Sequence, residues 1–453
     1  MTELPASFRD IEWLILDMDG VLTNEQAYWD TAGLVIRDLL ESPAHLGLDP
    51  AQFTPIADLF YHRMNRGTRS DWRKYLPPEL IVTCKSRGIN SNWDLAYLVA
   101  GLYLAPLFSP FSSLCELLTG PSGGSGEANG SLEATAEPDS DSHPAGVPAA
   151  DLGECLAPIR KRLQEQVKKE EWDRFLRLRD LPLWGAYFRK QNHRISPVHN
   201  IELRVMDDFH PDIRGLRLLD ELNRLVETKS GLRYTLFGRR TALWEDCRDL
   251  FQQWYLGESL YESVYGRSVL YRPKPGFIHR EEPLHGREKT RACLTRLREA
   301  GFRLGIATGR PRLEILTPLQ EWDFLSFFED ERIVTHDEVE AAEAELKKQG
   351  IPELLGKPHP FAFVRSIYPH EPLEALLQYC AHPIPDARKV LIVGDAVADI
   401  WAARQIGCPS AALLSGAMGI TGYRQLEEAK PDVICHDFVE LTHALINRKG
   451  YSG

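Results

Sequence analysis

The 453-residue sequence has no surplus of positive charge: 53 lysines and arginines stand against 65 aspartates and glutamates, a formal net charge of −12. Affinity for a phosphate backbone is built from clustered cations, so a broad nucleic-acid surface is excluded. The basic pairs Lys161-Arg162, Lys168-Lys169 and Arg239-Arg240 are interleaved with acidic residues and read as solvated helix faces. Paired cysteines are also missing. Eight lie singly between Cys84 and Cys435 with no CxxC, which excludes a zinc knuckle and leaves reduced, mostly buried thiols. No apolar run is long enough for a bilayer: the longest, residues 95–108, contains Gly101 and Pro106 and reads as a buried helix. The opening stretch MTELPASFRDIEW carries acidic residues and lacks the apolar centre of a signal peptide. The expectation is a cytoplasmic protein with neither a membrane nor a nucleic acid as partner. No repeat of fixed period is present, and the sequence assigns no oligomeric state.

What is there is an ordinary globular composition, 43% hydrophobic and 26% charged. The chain is too long for one compact core, so two domains or one domain with a large insertion are expected. Residues 11–17, IEWLILD, form an apolar run that ends in Asp-x-Asp-Gly, the pattern of a central strand buried on both faces. Residues 303–308, 332–335 and 389–395 repeat it, stopping at Thr-Gly-Arg-Pro, at His-Asp and at an acidic turn, and shorter units follow at 410–414 and 432–434. Helical patterns over 287–300, 360–367 and 399–406 alternate with them. The alternation predicts an α/β fold with a doubly wound parallel sheet. Residues 25–280 read as an inserted, mainly α-helical domain, separating a first core segment, 1–24, from the remainder, 281–453. Within the insertion, residues 119–150 are rich in Gly, Ser, Pro, Glu and Asp and are expected to be disordered.

Ligands of open α/β sheets bind beyond the carboxyl ends of the strands, where the strand order reverses. That rule gathers Asp17, Asp19, Thr308, Asp395 and Asp399 at one site. Such carboxylates repel one another and would repel a phosphate more strongly. A divalent cation resolves the conflict, and Mg²⁺ suits a hard oxygen set that leaves room for water and a phosphate. With four carboxylates, Lys357 and one Mg²⁺, the pocket is about one charge negative, so the metal is required to hold a phosphate dianion. Taken singly, the Asp-x-Asp-Gly segment also fits a calcium-type loop or a plain turn, and Thr308 and Asp399 also fit helix caps.

In order along the chain, Asp17-Met-Asp19-Gly20-Val-Leu-Thr23, Thr308-Gly-Arg, Gly356-Lys357-Pro358 and Gly394-Asp395-Ala-Val-Ala-Asp399 resemble the four motifs of the haloacid dehalogenase superfamily. The nearest likeness is to its phosphoglycolate-phosphatase-like branch. It covers the N-terminal strand and about 275–453, and the insertion is similar in position to that branch's helical cap, though larger. The resemblance implies a Rossmann-like core and an Mg²⁺-dependent phosphatase that hydrolyses a small phosphorylated metabolite through an aspartyl-phosphate. Asp17 would be the nucleophile. Asp19 would be the acid and base, with its proton affinity raised by acidic neighbours. Thr308, Gly309 and Lys357 would hold the phosphate. Asp17, Asp395 and the main-chain carbonyl of Asp19 would hold the metal, with Asp399 as a further ligand or just behind it.

An acid at position 19 disfavours a carbon–halogen substrate, because a halide leaves without a proton. Lys85 could supply the amine of a phosphonate-cleaving relative, but reads as a surface charge. Two alternatives stay open: a phosphomutase resembling β-phosphoglucomutase, and a binding protein that keeps the fold without the chemistry. In the insertion, Arg87 and Asn90 are candidate specificity residues, the competing reading being that Ser91 or Asn92 caps the helix that follows. Arg310 is expected at the mouth of the site, facing an anionic leaving group, and His359 is read as a loop histidine.

Overall fold

A computed structural model describes residues 4–48, 75–89, 91–108, 181–190, 209, 213, 215, 217–230, 237–238, 241–270, 273–351, 353–416 and 419–448. They divide into two compact units: Met1–Tyr28, Tyr255–Leu260 and Pro275–Gly453 form the first, and Trp29–Trp254 with Tyr261–Lys274 the second.

The first unit is built on six strands: β1 Trp13–Leu16, β2 Arg303–Ala307, β3 Ile333–Val334, β4 Val390–Gly394, β5 Ser410–Leu413 and β6 Val433–Cys435. All pairings are parallel, and the order is β3-β2-β1-β4-β5-β6. The fold is the doubly wound α/β sheet expected from the alternation of strand and helix patterns. The chain runs outward from β1 through β2 to β3, then returns to β4 on the other flank of β1. The strand order therefore reverses between β1 and β4.

The strands are mostly apolar because both faces are covered. Successive side chains of a strand point to opposite faces. Leu14, Leu16, Leu304, Ile306, Leu391 and Val393 accordingly enter one core, with the helices Arg287–Glu299, Arg312–Glu321 and Phe438–Arg448, while Ile15, Ala307, Val390 and Ile392 enter the other. That second core is closed by Phe361–Ile367, Leu373–Ala381 and Val397–Gln405. A helix that the strand patterns did not announce, His336–Lys348, starts on a capping box: Glu338 Oε2 accepts the Thr335 backbone N–H at 2.7 Å, and Thr335 Oγ1 accepts the Asp337 N–H at 3.3 Å.

In the second unit the described elements are all helical: most of Gln26–Glu41 and of Ala242–Tyr265, with Pro78–Ser86, Asn92–Phe108, Leu181–Lys190 and Arg217–Ser230. The apolar run 95–108 lies in Asn92–Phe108, and its side chains from Leu95 to Ala105 are buried. Trp244 Nε1 donates to the buried Asp94 at 2.7 Å, so the helix start is satisfied inside the unit. Among the described residues, no helix is long and apolar enough to cross a membrane. Residues 119–150, expected to be disordered, lie outside the described residues.

Ile15 is fully buried at the centre of the sheet. Ile15→Ala is expected to lower the unfolding free energy by about 2–5 kcal/mol, read as a reduced urea midpoint at unchanged slope.

Candidate active site

The reversal point between β1 and β4 puts Asp17, one residue past β1, beside Asp395, one residue past β4. Asp399 lies on the first turn of Val397–Gln405. Each of the three offers a carboxylate oxygen, and these oxygens all lie within 4.8 Å of one another. Lys357 reaches them from the loop before Phe361–Ile367, with Nζ 3.0 Å from Asp17 Oδ1 and 2.8 Å from Asp399 Oδ1. The Met18 N–H donates to the same Asp17 oxygen at 2.8 Å, so neither contact falls on Oδ2.

Glycine backbone packs directly against Asp395. A Cβ on Gly20, whose φ is 68°, would stand 2.2 Å from Asp395 Oδ2, and one on Gly416 would stand 1.6 Å from it. Both loops run hard against Asp395, and Ser415 Oγ ties them together by donating to the Gly20 carbonyl at 2.7 Å. Asp399 serves two ends: its Oδ2 accepts the Ala396 N–H at 3.2 Å, as a helix cap does, while its Oδ1 faces Lys357. The cap that competed with a metal role for Asp399 is made by its Oδ2.

Burial pushes the Asp17 carboxyl up to about 7, against the pull of Lys357 and helped by Asp399 and Asp19. Burial opposes the charge of Lys357 as well, but Asp17 and Asp399 more than offset it and hold the ammonium above its ordinary range. The donor set fits a hard divalent cation such as Mg²⁺: oxygen atoms only, clustered, and pressed by glycine backbone.

Asp19 takes a different direction from these three. Arg310 Nε donates to its Oδ2 at 2.9 Å and Arg310 Nη2 to its Oδ1, while Thr23 Oγ1 lies 3.1 Å from Oδ1. The other edge of the guanidinium grips Glu281, with Nη1 2.8 Å from each carboxylate oxygen. Tyr255 donates to Glu281 at 2.5 Å, and Tyr28, stacked on Tyr255 at 4.4 Å, lies under the guanidinium at 4.2 Å. Arg310, expected to face an anionic leaving group, has a side chain that is 5% exposed, with its N–H groups directed at Asp19, Thr23 and Glu281. The carboxylate crowding expected around Asp19 likewise gives way to a guanidinium.

Thr308 is buried just past β2; its N–H donates to the Val334 carbonyl at 3.0 Å and its Oγ1 accepts the Arg310 N–H at 3.3 Å. Gly309 borders open space. Arg87 ends Pro78–Ser86 in the second unit, donating to the Ile213 carbonyl at 3.3 Å, while Asn90 lies outside the described residues. Ser91 Oγ accepts the Asp94 N–H at 3.3 Å, the capping role that competed with a substrate loop. His359 Nδ1 accepts the Phe361 N–H at 3.2 Å, as a loop histidine does. Sequence reasoning missed Glu281, Tyr28 and Tyr255. Glu281 sits in Arg280-Glu281-Glu282, which carries only the signal of a charged surface.

A family model described as HAD-hydrolase-like matches residues 354–441, which include Lys357, Asp395 and Asp399. The match covers less than a quarter of the chain; with Asp17 placed beside those residues by the strand order, it supports an assignment to the haloacid dehalogenase superfamily. A solved structure described only as a structural-genomics target superposes with a TM-score of 0.64 at 24% identity, over 96% of this chain and 99% of that one, and so shares the whole fold. A HAD family hydrolase from Deinococcus radiodurans R1, solved with bound phosphate and sodium, covers 51% of this chain and 75% of its own at 15% identity and a TM-score of 0.29. A predicted phosphoglycolate phosphatase from Haemophilus somnus covers 50% and 75% at 16% identity and 0.29. Scores that low carry no argument about this chain. No curated protein matches the sequence.

The raised Asp17 carboxyl has a consequence for stability without divalent cations. An acid whose folded pKa lies above its unfolded value stabilises the protein fully below the unfolded value of 3.8, and that contribution is lost as pH rises toward 7. In EDTA, Asp17→Asn should therefore gain melting temperature relative to wild type as pH is raised from about 4 to about 7. A difference that stays constant across that window would contradict the burial argument.

Proposed function

We propose that this chain is an Mg²⁺-dependent phosphatase that hydrolyses a small phosphorylated metabolite through an aspartyl-phosphate on Asp17. The observation that carries the reading is the buried meeting of Asp17, Asp395 and Asp399 with Lys357 at the strand reversal. A bound divalent cation would cancel carboxylate charge and hold a phosphoryl oxygen, with Asp17 and Asp395 as its side-chain ligands.

The residues of the chain then divide the work. Lys357 attracts the phosphate dianion and shields it from the Asp17 carboxylate. Thr308 and the backbone at Gly309 supply hydrogen bonds to phosphoryl oxygens. A carboxylate oxygen of Asp17 attacks phosphorus; the bond to the leaving oxygen breaks, and Asp19 gives that oxygen its proton, releasing an alcohol. Water next attacks the phosphorus of the aspartyl-phosphate. Asp19, now a carboxylate, takes the proton of that water, and inorganic phosphate leaves with Asp17 restored. The protein ends as it began, one P–O ester bond exchanged for one P–O bond to water.

Hydrolysis of p-nitrophenyl phosphate should require Mg²⁺ and stop on EDTA addition. Asp17→Asn should lower kcat by roughly 10³-fold or more, as loss of a nucleophile does. Equal rates for wild type and Asp17→Asn would remove Asp17 from the mechanism.

A further inference from the structure

We infer that Arg310 is a positioning residue that fixes the carboxylate of Asp19, braced from behind by Glu281, Tyr255 and Tyr28. The inference rests on the phosphatase reading above, in which Asp19 moves the protons.

An arginine has five N–H bonds. Those of Arg310 meet Asp19 Oδ2, Asp19 Oδ1, Thr23 Oγ1 and the two oxygens of Glu281, which uses the whole donor set inside the protein. Nothing remains to contact a substrate. A buried guanidinium demands charge compensation, and two carboxylates on opposite edges provide it. The fork on Asp19 is two-pronged, so it sets the plane of the carboxylate as well as its position.

The brace is equally determined. Glu281 is 2% exposed, its Oε1 accepts from Tyr255 at 2.5 Å as well as from Arg310, and Trp322 Nε1 donates to the Glu281 carbonyl at 3.2 Å. Tyr28, under the flat face of the guanidinium, bonds through its hydroxyl to the buried Glu314. Edge, face and far side of Arg310 are thus each occupied by a group that is itself fixed. Such a chain of contacts controls where a proton donor sits without touching the reacting atoms.

Leaving groups separate this role from a general contribution to folding. An alkyl phosphate needs a proton on its departing oxygen, whereas p-nitrophenolate leaves without one, so misplacing Asp19 harms the first substrate selectively. The ratio kcat/KM reports the steps through departure of the leaving group. For Arg310→Lys, which keeps the charge but not the fork, kcat/KM for glycerol phosphate should fall roughly 10-fold or more beyond its fall for p-nitrophenyl phosphate. Inhibition by inorganic phosphate should be unchanged. Glu281→Gln should show a split of the same sign, and it keeps the test alive should Arg310→Lys not fold. Equal losses on the two esters in Arg310→Lys and in Glu281→Gln would overturn the positioning role while leaving the phosphatase reading intact. A wild-type protein that hydrolyses neither ester would overturn both.

Discussion

Three carboxylates that share a pocket of 4.8 Å cannot all be charged without a compensating cation. At that spacing each pair repels by about 3 kcal/mol even at an effective dielectric of about 20. Among the described residues, Lys357 supplies a positive charge between Asp17 and Asp399. Asp395 lies beyond the direct reach of that contact, pressed by Gly20 and Gly416. The sheet gives the constraint its place: β1 and β4 are neighbours, and the chain folds outward in opposite directions from them, so the residues after both strands must meet. The apolar strand interiors hold those neighbours together, and burial pushes the Asp17 carboxyl up to about 7.

The remaining acid of the first motif is kept out of that conflict. Asp19 is two residues from Asp17, yet its charge is met by Arg310, whose second edge is met by Glu281. Two cations thus divide the acidic residues into separate sets, Asp17 and Asp399 at Lys357 and Asp19 and Glu281 at Arg310. Carboxylates with different surroundings can take different roles in one reaction, and here the difference lies in the partner each one has.

Much of this was legible in the sequence. The apolar runs ending at Asp17, Thr308 and Asp395 announced strands whose polar corners belong together, and the structure places Asp17 and Asp395 side by side. The pattern over 399–406 announced a helix, and Val397–Gln405 lies there. Other features had no local signature. The run at 332–335 did announce β3, Ile333–Val334, but the helix after it was signalled by a capping box that hydrophobic patterning does not detect. Arg310 read as a residue of the mouth because it follows the second motif directly. Its inward turn depends on Glu281 and on Tyr28 and Tyr255, residues distant in sequence that only the folded chain gathers. Arg87 was legible as a polar turn, but its bond to the Ile213 carbonyl is a tertiary contact within the second unit.

The central claim is that phosphate passes through the side chain of Asp17. Asp19→Ala protein, in which removal of the base slows release of the phosphoryl group, can be mixed with p-nitrophenyl phosphate and Mg²⁺, quenched in acid and mapped by peptide mass spectrometry. The account predicts one phosphoryl group, on the peptide that contains Asp17. A quenched protein that carries no phosphoryl group while p-nitrophenol is released, or one that carries it on another residue, would contradict it.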